Sequence, residues 1–155
     1  MATASSPARQ IVLAEDNSGD VLLVRMALKS SGLNCELRVL DDGDKAVAFI
    51  EEFDANPNAG AIDLLLLDMH LPKRDGEEIL ERLRASDHYA QTPVVVMTAS
   101  DAPHDHAQAK KHAAMHYFRK PSNLDEYMQL GSIVRDLLSP DHASVDLPEE
   151  RRTEK

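Results

Sequence analysis

Three short apolar runs, each closed by a polar group, limit this chain to a few architectures. Ile11-Val12-Leu13-Ala14 runs into Glu15-Asp16, Leu64-Leu65-Leu66-Leu67 into Asp68, and Val94-Val95-Val96-Met97 into Thr98. A fourth stretch, Met115-His116-Tyr117-Phe118, leads to Lys120-Pro121. Continuous apolar runs this short fit strands buried on both faces, as at the centre of a parallel sheet. In such sheets functional groups gather beyond the carboxyl ends of the strands. If these strands are neighbours, three carboxylates, a hydroxyl and an ammonium share one pocket.

Amphipathic stretches separate the runs. Helices are expected over about 19–31, 44–53, 77–85, 103–113 and 124–138, and strands over 10–14, 36–40, 64–67, from 94 and 115–118. Ser30-Ser31-Gly32 closes the first helix and Asp41-Asp42-Gly43-Asp44 is a turn that can cap the second. Pro93 is acceptable at the start of a strand. Strands alternating with helices imply a three-layer α/β domain with right-handed crossovers. Order 2-1-3-4-5 is the common solution and sets strands one, three, four and five side by side.

The length of 155 residues suits one domain with a real core. We expect that domain over residues 10–138, a polar flexible lead at 1–9 and a polar flexible tail at 139–155 too short for an output domain. A formal charge of −10 argues against nucleic acid or an anionic membrane as partner. No segment approaches the ~20 apolar residues of a membrane span, and the N-terminus lacks a signal-peptide pattern. The single cysteine, Cys35, cannot form an internal disulfide, which fits a cytoplasmic chain. The seven histidines do not form a zinc pattern: His104 and His106 are two apart on a helix, His112 and His116 straddle its end, and no thiolate joins them.

The pocket groups suit phosphoryl chemistry on a cation. Glu15, Asp16 and Asp68 would repel one another unless a cation such as Mg²⁺ joined them, and Mg²⁺ prefers few carboxylates plus water and phosphate oxygens. Asp68 is the nucleophile candidate, because a carboxylate can form an acyl phosphate. Lys120 supplies a mobile ammonium, Thr98 a hydroxyl, and Ala99 a small residue that lets backbone N–H approach an oxygen. His70 and Ser100 lie two residues past Asp68 and Thr98 and are expected at the rim, where they can gate water. Lys120-Pro121 is a candidate cis peptide.

With these residues in place, the chain resembles the receiver domain of two-component response regulators. The resemblance rests on Glu15-Asp16-Asn17, Leu67-Asp68-Met69-His70-Leu71-Pro72, Asp75-Gly76, Met97-Thr98-Ala99 and Lys120-Pro121 and covers about 10–138. It implies a flavodoxin-like (βα)5 fold and no enzyme activity beyond self-catalysed phosphotransfer and dephosphorylation. It implies that Asp68 accepts a phosphoryl group from a sensor histidine kinase. Asp16, Asp68 and the His70 backbone carbonyl would ligate Mg²⁺, or Mn²⁺ in its place, with Glu15 direct or through water. Thr98 would move toward the phosphoryl group, Tyr117 would turn inward with it, and Lys120 would pair with the acyl phosphate. The face of helix four, strand five and helix five would then change its contacts, with a downstream protein, a phosphotransfer protein or a second copy.

Glu15 stands where the family more often has aspartate, and the 54–63 loop is longer than in minimal receivers. With Glu15-Asp16-Asn17-Ser18-Gly19-Asp20, that loop resembles stand-alone regulators associated with phytochrome-type kinases. Two other functions compete. A phosphatase of the haloacid-dehalogenase type would need a second acid at the position of His70. A degenerate receiver that only binds partners would not need Asp68, Thr98 and Lys120 together.

Overall fold

The computed structural model describes residues 7–56 and 58–139. Ten elements alternate along it: β1 (Arg9–Ala14), α1 (Ser18–Ser30), β2 (Cys35–Leu40), α2 (Gly43–Ala55), β3 (Leu64–Leu67), α3 (Gly76–Arg84), β4 (Val94–Thr98), α4 (Pro103–Lys111), β5 (His116–Arg119) and α5 (Leu124–Leu137). The five strands form one parallel sheet in the order β2-β1-β3-β4-β5, as the alternation requires. β1 takes in Arg9, whose guanidinium donates to the Leu138 carbonyl at 2.8 Å. Residues 1–6 of the expected lead and 140–155 of the expected tail fall outside the described residues.

Strand alternation splits the core between the two faces of the sheet. Val12, Leu65, Leu67, Val94 and Val96 meet α2 and α3 through Ala46, Phe49, Ile50, Ile79, Leu80 and Leu83. Ile11, Leu13, Leu64, Leu66, Val95 and Met97 meet α1 and α5 through Val24, Ala27, Leu28, Leu130 and Val134. Each fully buried aliphatic side chain contributes roughly 1.5–3 kcal/mol, so the central strands are the rigid floor from which the site is built.

Four helices open on a side-chain cap that satisfies an otherwise free N–H. Asn17, Asp42, Asp75 and Asn123 accept from the backbone of Asp20, Lys45, Glu78 and Glu126. α4 has no side-chain cap and opens on Pro103, which needs no partner for its missing N–H. Several expected boundaries shift by one or two residues, those of α4 and β5 among them. α4 ends at Lys111 because Ala113 takes a left-handed conformation (φ 60°), with its own N–H donating to the Lys110 carbonyl and the Ala114 N–H to that of Ala109. β5 runs one residue later than expected, over His116–Arg119.

The loop after β3 is tied down by close backbone approach. Gly76 donates its N–H to the Met69 carbonyl at 2.9 Å, and a Cβ there would lie 2.6 Å from Met69 Sδ. Gly43 donates to the Pro72 carbonyl at 2.9 Å. Both bonds fix the chain that leaves Asp68.

Candidate functional site

Sheet register carries the expected groups to one edge. Ala14 pairs with Leu67, and Leu67 with Val96. The residues that follow, Glu15 and Asp68, therefore leave the sheet side by side. Thr98 pairs with Arg119, and Lys120 comes next. The ladder continues one step into the loops: the Asp68 N–H donates to the Ala14 carbonyl at 3.0 Å, and the Lys120 N–H to the Thr98 carbonyl at 2.8 Å.

Glu15, Asp16 and Asp68 place carboxylate oxygens within 4.8 Å of one another, with Glu15 and Asp68 buried and Asp16 exposed. Lys120 is their resident counter-charge. Its Nζ lies 2.8 Å from Glu15 Oε1, 2.9 Å from Asp20 Oδ2 and 3.2 Å from Asp68 Oδ2. The contacts with Asp20 and Asp68 are aligned hydrogen bonds. Glu15 Oε1, fully buried, sits beside the ammonium without an aligned donor. An all-oxygen set of this kind, with one buried oxygen short of a donor, fits a small hard divalent cation.

The charges push the two partners in the same direction. Burial works against the Lys120 ammonium, but Glu15, Asp20 and the Asp68 charge outweigh it and hold its pKa above the usual lysine range. Burial pushes the Glu15 carboxyl up to about 7; Asp68 adds to this and Lys120 opposes it. A carboxyl that titrates higher in the fold than in the unfolded chain stabilises the fold while protonated. Its contribution is complete below about pH 4.5 and gone above about pH 7. A shift of that size is worth about 3 kcal/mol. In chelator, the unfolding free energy of the wild type should fall by about that amount across this window relative to Glu15→Gln. Urea titrations at pH steps through the window check this; parallel curves would mean that Glu15 titrates as an ordinary surface acid.

His70, Ala99 and Ser100 follow Asp68 and Thr98 and are linked to their surroundings in ways the sequence did not reveal. The His70 N–H donates to Asp68 Oδ1 at 3.0 Å, so each oxygen of Asp68 has one donor. The His70 ring is mostly exposed, yet its Nε2 lies 2.6 Å from the buried Asp105 carboxylate in the first turn of α4. Thr98 is buried, and its Oγ1 accepts from the Ser100 N–H at 3.1 Å. Ala99 is exposed between them. The Tyr117 hydroxyl donates to the Ser100 carbonyl at 3.0 Å, and its ring stacks on His106 with centroids 3.7 Å apart. His106 in turn meets Asp101, which also faces Arg119. Tyr117 thus binds β5 to the loop that follows Thr98.

One expectation is corrected. Among the described residues no peptide bond is cis, so Lys120-Pro121 is trans. Lys120 is aimed by its ladder bond to Thr98 and by the carboxylates around it.

Two site residues were missed. Asp20 lies one turn into α1, where an acid is expected simply for the helix dipole. Tyr127 lies on the apolar stripe of α5. Its hydroxyl donates to Asp20 Oδ1 at 2.9 Å. A tyrosine on an otherwise aliphatic stripe was the available signal, because a buried hydroxyl needs a partner.

A family profile described as the response regulator receiver domain matches residues 11–130. Response regulator Rcp1 of Synechocystis sp. is 34% identical over 130 residues, which cover 84% of this chain and 88% of Rcp1. The transcriptional regulatory protein TrcR of Mycobacterium tuberculosis is 37% identical, but this chain spans only 42% of it. The crystal structure of the phosphorylated cyanobacterial phytochrome response regulator RcpA aligns with a TM-score of 0.77 at 29% identity, over 92% of this chain and all of that one. The Mn²⁺-bound form of Rcp1 aligns with a TM-score of 0.72 at 33% identity, over 90% of this chain and 99% of that one.

Proposed function

The chain belongs to the response regulator receiver domain family, and from that membership we propose that Asp68 accepts a phosphoryl group from a phosphohistidine on a sensor kinase. The observation that carries this is the setting of Asp68. It closes β3 with one oxygen on the His70 N–H and the other on Lys120, beside the acids Glu15 and Asp16. One Asp68 oxygen forms the new P–O bond while the P–N bond to the donor imidazole breaks. The electron pair stays on that nitrogen, which takes up a proton. Glu15, Asp16, Asp68 and the His70 carbonyl would hold Mg²⁺ or Mn²⁺, which supplies charge stabilisation at the phosphoryl oxygens. Lys120 and the Thr98 hydroxyl face the charge from the protein side.

Thr98, Ser100 and Tyr117 form the read-out. The Tyr117–Ser100 bond and the Tyr117–His106 stack join the loop after Thr98 to β5 and α4. Movement of Thr98 toward a phosphoryl group therefore reaches the α4-β5-α5 face. That face is the candidate surface for a downstream protein, a phosphotransfer protein or a second copy. RcpA is described as a cyanobacterial phytochrome response regulator, which supports a phytochrome-type sensor kinase as the donor. The setting is cytoplasmic, where such a kinase domain faces its regulator.

The test is direct. The protein is incubated with Mg²⁺ and a small acyl phosphate and its mass is followed. A receiver gains one phosphoryl group and loses it slowly. Repeated turnover of a phosphate ester would instead identify a phosphatase, and no gain in mass would identify a binding module.

A further inference from the structure

We propose that Asp20, anchored by Tyr127, is a positioning residue that holds the Lys120 ammonium beside Asp68. This rests on the reading of Asp68 as phosphoacceptor. Lys120 carries its charge on a flexible four-carbon stem, so fixing it costs side-chain entropy. Three carboxylates compete for it. Glu15 and Asp68 belong to the acid trio, and their charge is claimed by a cation and by the phosphoryl group. Asp20 lies outside that trio and remains free to hold the ammonium.

Both oxygens of Asp20 are used, which fixes its orientation. Oδ2 accepts from Lys120 at 2.9 Å and Oδ1 from the Tyr127 hydroxyl at 2.9 Å. Its backbone is fixed as well, because its N–H is held by the Asn17 side chain at 2.9 Å. Tyr127 is 2% exposed and packs edge-on against Phe118, with centroids 5.8 Å apart. Phe118 lies two residues before Lys120 on β5. The strand that presents the lysine therefore also sets the tyrosine, which sets the aspartate, which receives the lysine. The phosphoryl oxygens then meet a cation already in place, and the chemical step is spared its reorganisation.

The full chain is phosphorylated with a small acyl phosphate at saturating Mg²⁺, and the maximal rate is separated from donor affinity. Mg²⁺ affinity is measured by calorimetry. Asp20→Ala should lower the maximal rate about tenfold, as loss of an aligned group does, with Mg²⁺ affinity within about twofold of wild type. Asp20→Asn can keep its oxygen on Lys120 while its amide N–H donates to the Tyr127 hydroxyl oxygen, and it should restore most of the rate. Tyr127→Phe should show a smaller loss and add nothing to Asp20→Ala; being isosteric, it carries the test if Asp20→Ala fails to fold. Wild-type rates in Asp20→Ala and Tyr127→Phe would overturn the proposal. So would a parallel loss of Mg²⁺ binding, which marks a structural role, or an Asn variant as slow as Ala, which marks a charge effect. Failure of the wild type to label at Asp68 would overturn the phosphoacceptor reading instead.

Discussion

Asp68→Asn should leave a folded protein that gains no phosphoryl mass from an acyl phosphate and Mg²⁺, under conditions that label the wild type. The change is isosteric. The Asp68 backbone N–H stays on the Ala14 carbonyl, and the amide oxygen can keep the His70 N–H at Oδ1. What is lost is the second anionic oxygen, the one that faces Lys120, and with it the proposed nucleophile. An amide is not a nucleophile toward phosphorus at neutral pH, so the effect is complete loss rather than a fractional one. Stability should not fall. Removing one of three carboxylates within 4.8 Å relieves repulsion, and Lys120 keeps Glu15 and Asp20. A labelled variant would place the acceptor elsewhere and remove the basis of the proposed function. A variant that is unlabelled and unfolded would be separated by its circular dichroism.

The groups gathered at the carboxyl ends of the strands were legible because each ends a strand whose identity the sequence makes plain. Four leucines in a row fit a central strand, which the structure buries whole, and the acid behind them is carried to the sheet edge by register alone. Asp20 and Tyr127 were not legible. An aspartate in the first turn of a helix and an aromatic on a core stripe each have a sufficient local explanation. Their pairing arises only when α1 and α5 meet on the same face of the sheet, a contact across 107 positions. Asp105 is similar: nothing in the sequence singles out this acid in the first turn of α4, yet it is buried against the His70 ring. The end of α4 escaped for a different reason. Its left-handed stop falls on Ala113, where glycine or asparagine would have marked it.

Lys120→Met should destabilise the cation-free protein by roughly 3–5 kcal/mol near neutral pH, the cost of removing one partner from a buried ion pair. The lysine side chain is 10% exposed, between Glu15 at 0% and Asp68 at 9%, and methionine fills its volume without its charge. The raised pKa of Lys120 gives the sign. Its contribution is fully present below the ordinary lysine pKa of about 10.4 and disappears only when pH rises past its folded value. The penalty in the variant therefore covers the whole neutral range. Lowering the pH toward 4.5 should recover part of it, because Glu15 already titrates near 7 and would titrate higher still without the ammonium. Mg²⁺ should recover more, since it supplies the missing positive charge to the same acids, and it should bind the variant about tenfold more tightly than the wild type because a competing cation has gone. Urea midpoints in chelator and in Mg²⁺ measure both effects. Equal stability of variant and wild type in chelator would show that the acids do not depend on Lys120 for their charge balance. A variant destabilised equally in chelator and in Mg²⁺ would show that Lys120 acts through packing rather than charge. The expected pattern, a wide gap that closes on adding Mg²⁺, requires the lysine and the cation to serve the same carboxylates in turn.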